Sequence, residues 1–98
     1  MAVNTSSQFR RGWVTTPTVV SDLSGAPDVV FFNSALSHVY VAVGDPGTID
    51  VFDAERMRRL ESVSTELGAH TIALDDRASR VFAFLPGTHR VAMYQDTT

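Results

Sequence analysis

Apolar residues along this chain gather in short runs separated by polar turns, with little of the sustained 3.6-residue periodicity of helices. Val29–Phe32 and Thr71–Leu74 are almost unbroken apolar runs, the pattern of strands covered on both faces. His38–Val43 and Arg80–Leu85, rich in β-branched and aromatic residues, follow polar turns at Asn33–Ser37 and Asp75–Ser79 and read as strands pairing back on the first pair. Sharper turns at Gly44-Asp45-Pro46-Gly47 and Pro86-Gly87-Thr88 then lead into strand signals at Thr48–Phe52 and Arg90–Tyr94. Ala54–Leu67 is ambiguous. Met57, Leu60, Val63 and Leu67 stand at helical spacing, which would give an α+β fold with a helix over Ala54–Ser64.

An internal repeat favours a strand there. A shift of 42 residues aligns Pro27–Phe52 with Ala69–Tyr94 without a gap. Val30, Phe32, Tyr40, Ile49, Val51 and Phe52 fall on Ile72, Leu74, Phe82, Val91, Met93 and Tyr94, and Ser37 and Val39 fall on Ser79 and Val81. The same shift lays Thr15–Val20, a poor helix with its proline and β-branched residues, over Met57–Ser62. The period is that of four-stranded β-propeller blades. With inner-to-outer strands lettered A to D, the expected fold is all-β: two four-stranded antiparallel blades in the chain order D-A-B-C-D-A-B-C. Residues 1–12 are expected to form a flexible tail and residues 13–98 the two-blade unit. The last blade then lacks an outer strand while the chain begins with an unpartnered one, so a ring sealed between subunits would complete both. Pro17 and the Arg56, Arg58, Arg59 cluster suit exposed sheet edges.

The blocks PDVVFFNSALSHVYVAVGDPGTIDVFD and GAHTIALDDRASRVFAFLPGTHRV resemble the repeats of YVTN-type, surface-layer-like β-propellers, over roughly Ala26–Tyr94. The GAH-T-IALD opening and PGT-x-x-V ending are similar to a closing, C-terminal blade. The resemblance implies a C-terminal piece of a longer ancestor. Members of the family carry about seven blades, whereas identical two-blade subunits give even numbers, so three or four copies would make a ring of six or eight.

Composition supports assembly. At 98 residues the chain buries a modest core, and with no cysteine it has no disulfide or thiolate metal staple. A formal charge of −3 gives no basic footprint for nucleic acid. No segment has the length to span a bilayer, and the MAVNTSSQFRRG start has no apolar signal region, so the sequence as it stands reads as cytoplasmic. Nucleophile, Walker and dinucleotide motifs are missing, and neither cofactor nor metal is expected. The blade arrangement would gather Asp28, Asp45, His70 and His89 at one rim, with Asp28 and His70 repeat equivalents at the mouth of the axis, where a small polar ligand could bind. Asp75-Asp76 reads as a solvated turn, and Asp50, Asp53 and Glu55 lack a calcium-loop pattern. Trp13, Val14, Val19, Val91 and Met93 are the expected oligomer contacts. The leading reading is a non-enzymatic scaffold or interaction module whose partner is itself. Its rival is a lactonase-like propeller hydrolase using the His/Asp rim.

Overall fold

The computed structural model describes residues 17–97. Strands β1 (Val29–Asn33), β2 (His38–Val43), β3 (Thr48–Asp53) and β4 (Arg58–Ser64) form a four-stranded antiparallel sheet in that order, and β5 (Ile72–Asp75), β6 (Arg80–Leu85) and β7 (Arg90–Gln95) form a three-stranded one. No helix forms among the described residues. The ambiguous segment is a strand, β4, despite its helix formers. Pairing with β3 and a bulge between Val51 and Phe52 override local propensity, and its exposed Arg58, Arg59 and Glu61 give the free edge the charges that discourage foreign pairing.

The 42-residue shift superimposes β2 on β6 and β3 on β7 residue for residue. Smaller features repeat with it. Asn33 Oδ1 accepts hydrogen bonds from the amides of Ala35 and Leu36, and Asp75 Oδ1 accepts one from Arg77, so each first turn is nucleated by an Asx side chain. Those turns close on Ser37 and Ser79, both left-handed, whose carbonyls accept from the amides of Ala54 and Asp96. Asp53 nucleates the β3–β4 turn the same way, with Oδ1 accepting from Glu55 and Arg56 and left-handed Met57 closing it. The Asn/Asp turns that the sequence marks only as polar are thus one device used three times.

Alternation sets the packing. In the first sheet Val29, Phe31, Tyr40, Ala42, Ile49, Val51 and Val63 share one face, which packs on Ile72, Leu74, Val81, Ala83 and Tyr94 of the second. The sheets meet through β1 and β5, their first strands.

One expected strand does not form: residues 17–20 are irregular and pair with neither sheet, while Thr15 and Thr16 lie outside the described residues. Pro17 supplies no donor for a ladder, and the β4 edge of the first sheet already carries charges that discourage pairing. The described strands are therefore four in one sheet and three in the other, with one edge of β7 unpaired. The expected tail and the expected contacts Trp13 and Val14 lie outside the described residues.

Candidate functional site

Of the four residues expected at a rim, Asp28 and His70 flank one turn and His70 and His89 share one cleft. Asp28 Oδ2 accepts the Gly44 amide at 2.8 Å, and a Cβ on Gly44 would lie 3.1 Å from that oxygen and 3.2 Å from the Cβ of His70, so Asp28 and His70 flank the same turn. Residues 65–70, which lead from β4 into β5, cross this turn: the Thr65 amide donates to the Gly47 carbonyl (2.9 Å) and the Gly68 amide to the Gly44 carbonyl (2.6 Å). Gly47 is required here on two counts, a φ of 101° and a backbone approach that would put its Cβ 2.4 Å from the carbonyl carbon of Glu66. Glu66 reaches onward to the next turn, accepting from the Gly87 amide (2.7 Å) and the Thr88 hydroxyl (2.8 Å). The Thr88 hydroxyl, opposed by a smaller desolvation cost, holds its carboxyl below the usual range. His70 Nδ1 lies 2.8 Å from the Gly68 carbonyl.

His70 and His89 line one open cleft of about 350 Å³ together with Thr71, Phe84, Arg90 and Val91. Asp45 stands exposed on its turn and lines none of the described clefts. Among the described residues no three His, Asp or Glu side chains stand in a metal-holding group. His89 occupies the position of Gly47 in the repeat and carries a side chain at φ 55°. Releasing that strain, less the backbone entropy glycine adds to the unfolded chain, predicts that His89→Gly raises stability by about 0.5 kcal/mol, read as a higher denaturation midpoint.

Two further polar clusters hold the fold. At the turn end of the sheets, Asp96 receives hydrogen bonds from the Tyr40 hydroxyl and stands 2.7 Å from His38 Nδ1, while Asn33 Nδ2 donates to Tyr40 and to the Ser79 hydroxyl, both at 3.0 Å. Burial first, and the bond to Asp96 second, push the Tyr40 phenol well above its usual value. The sequence carried a signal for this group: His38 falls in alternation with Tyr40 and Ala42, on the covered side of β2. The second cluster surrounds Asp50, fully buried, which accepts from the Ser24 amide (2.7 Å), the Ser24 hydroxyl (2.5 Å) and the Ser62 hydroxyl (2.6 Å), with Arg59 at 3.9 Å. Desolvation raises its pKa, but the serine donors and Arg59 together outweigh that and leave it below 3.8. The folded chain therefore keeps Asp50 ionised to lower pH than the unfolded chain does. Its contribution is complete above about pH 4 and is lost as acid titrates the folded carboxylate. Asp50→Asn is expected to cost about 2 kcal/mol at pH 7, a deficit that closes in more acid solution when urea midpoints are followed against pH.

Each sheet also leaves apolar side chains exposed on the face turned away from the other, although on the first sheet Val41, Val43 and Asp50 of that face are buried. On the first, Val30 and Phe32 are 57% and 55% exposed, and Val20, Val39, Phe52 and Met57 line an apolar cleft of about 270 Å³. On the second, Phe84, Val91 and Met93 are 43%, 58% and 52% exposed, beside half-buried Phe82. Val91 and Met93, expected as contacts, are thus on an open face, and Val19 is exposed at 81% in the irregular leading segment. No protein family, curated protein or solved structure matches this chain.

Proposed function

We propose that this chain is a non-enzymatic, self-assembling β-propeller module of the YVTN type, two blades per subunit, whose copies stack head to tail into a closed ring of three or four. One observation carries the reading. Shifted by 42 residues, the covered face of the first sheet (Tyr40, Ala42, Ile49, Val51) becomes the open face of the second (Phe82, Phe84, Val91, Met93). Shifted back, the covered face of the second sheet (Ile72, Leu74, Val81, Tyr94) becomes the open face of the first (Val30, Phe32, Val39, Phe52). The two open faces are therefore repeat copies of two faces that already fit each other inside the chain.

The cavities support the same pairing. Val81, Tyr94, Gln95 and Asp96 border a remnant space of about 60 Å³ beneath Tyr40 and Val51. Their repeat equivalents Val39, Phe52, Asp53 and Ala54 border the 270 Å³ open cleft, which is the same site with its cover missing. Pairing an open face with its complement on another copy is heterologous, and such contacts continue until they close on themselves. Burying apolar area at about 25 cal/mol per Å² supplies the drive. The arrangement sets Asp28 and His70 in alternation around the axis, a polar mouth suited to a small polar ligand. Small-angle scattering across a concentration series tests the proposal: a compact particle of fixed size is expected, and a rod that lengthens with concentration would contradict closure.

A further inference from the structure

We infer that the cleft between His70 and His89 is the seat of residues 23–28 of a second copy, with Asp28 of that copy coming to rest beside His70. The inference rests on the head-to-tail reading and adds the contact that fixes its register. Inside the chain, the turn between β2 and β3 is covered by residues 65–70, through the Thr65 amide on the Gly47 carbonyl and the Gly68 amide on the Gly44 carbonyl. The repeat equivalent of that turn is residues 86–89, and the equivalent of the covering segment is residues 23–28. In the chain's own fold residues 23–28 do not cover this turn. They cross the first sheet's turn instead, where a Cβ on Gly25 would meet the Asp45 carbonyl at 2.3 Å and where the Ser24 amide donates to Asp50. The turn at 86–89, touched by its own chain only through the Glu66 carboxylate on Gly87 and Thr88, borders the 350 Å³ cleft where the first turn has a backbone cover.

Charge agrees with the occupant. The cleft is lined by His70, His89 and Arg90 and by no carboxylate, Glu66 being engaged beside it with Gly87 and Thr88, whereas the stretch DLSGAPD, residues 22–28, carries two aspartates and no base. Asp28 and His70 are already neighbours across Gly44, and the repeat exchanges them: His70 stands where Asp28 stood, and the incoming Asp28 where His70 stood. The same pair then recurs at every junction of the ring. Bulk is exchanged as well. Where Gly47 meets the backbone at Glu66 and Leu67, His89 would meet Ser24 and Gly25, so the incoming segment offers its least bulky residue to the one turn that carries a side chain.

The chain has no cysteine, so single thiols report cleanly. The amide-to-carbonyl contact of Thr65 with Gly47 translates to Leu23 of one copy and His89 of the next, within disulfide reach. A size-tagged Leu23→Cys chain mixed with an untagged His89→Cys chain under mild oxidation is expected to give the mixed disulfide as the main product. An assembled particle without that disulfide would overturn the inference while leaving head-to-tail assembly standing, and a wild-type protein that stays monomeric would overturn both. A second readout needs no cysteine. Diethyl pyrocarbonate should leave His70 and His89 unmodified in the wild-type assembly and modify both in a Phe84→Glu monomer, and equal modification in the two proteins would count against the seat.

Discussion

Phe84→Glu is expected to reduce the protein to single chains, with the fold of each chain kept. Phe84 stands on the open face of the second sheet, 43% exposed, so a carboxylate there is solvated in the lone chain and costs it little. In the assembly the same carboxylate would be pressed against Val30, Phe32 and their neighbours, a burial of unpaired charge that no apolar contact repays. Phe32→Glu should do the same from the other side. The pair of variants then distinguishes kinds of interface. Each variant keeps one intact face, and the two intact faces are complementary, so mixing two monomeric proteins is expected to yield a one-to-one dimer that grows no further. A two-fold interface, which uses the same patch on both copies, would leave the mixture monomeric or restore nothing beyond what each variant does alone. Sedimentation velocity of each variant and of the mixture reads all of these results.

The second large effect concerns the cluster at the far end of the sheets. Asp96 ties the last strand to β2 through Tyr40 and His38, and Asp96→Ala would strip both of their shared acceptor in a place with little water. A loss of about 3 kcal/mol is expected, a large share of what a domain of this size has to spend. Tyr40→Phe removes the hydroxyl's bonds to Asp96 and Asn33 but leaves His38 its acceptor, and should cost about 2 kcal/mol at pH 7. The two variants separate at high pH. The folded state holds the Tyr40 proton more tightly than the unfolded chain, whose phenols titrate near 10.0. Stability linked to this proton is therefore complete below pH 10 and falls above it by about 1.4 kcal/mol per pH unit, one proton's worth. Wild type keeps both causes of this linkage and Asp96→Ala keeps only the burial, so urea midpoints against pH should show the extra alkaline slope in full in wild type, in part in Asp96→Ala and not in Tyr40→Phe. Parallel slopes in wild type and Tyr40→Phe would mean that this phenol carries no such linkage.

Much of this architecture was legible in the sequence because strands and repeats are local patterns. His38–Val43 and Arg80–Leu85 are strands with the bounds their β-branched and aromatic runs suggest, and the repeat told against a helix over Ala54–Ser64 where propensity alone leaned toward one. The leading outer strand is absent from the single chain over residues 17–20 for a related reason. The shift laid Thr15–Val20 over β4, but a strand needs a neighbour to pair with, and repeat equivalence says nothing of whether the chain supplies one. The rim was half legible. Repeat equivalence located Asp28 and His70 at matching strand entries, and the cleft joins His70 to His89, whereas Asp45 was grouped with them only by lying on the same turn. Alternation along β2 signalled a covered His38, but its partner Asp96 was hidden because it lies 58 residues from His38 and 56 from Tyr40, and the Asp50 cluster because serine, arginine and aspartate at those spacings look like any solvated surface.

The absolute mass of the wild-type protein in solution, by light scattering behind a sizing column, bears most directly on the assembly. Two open faces that repeat an internal fit predict three or four times the 10.7 kDa of one chain, constant across the peak. A stable mass of one chain at high concentration would contradict it.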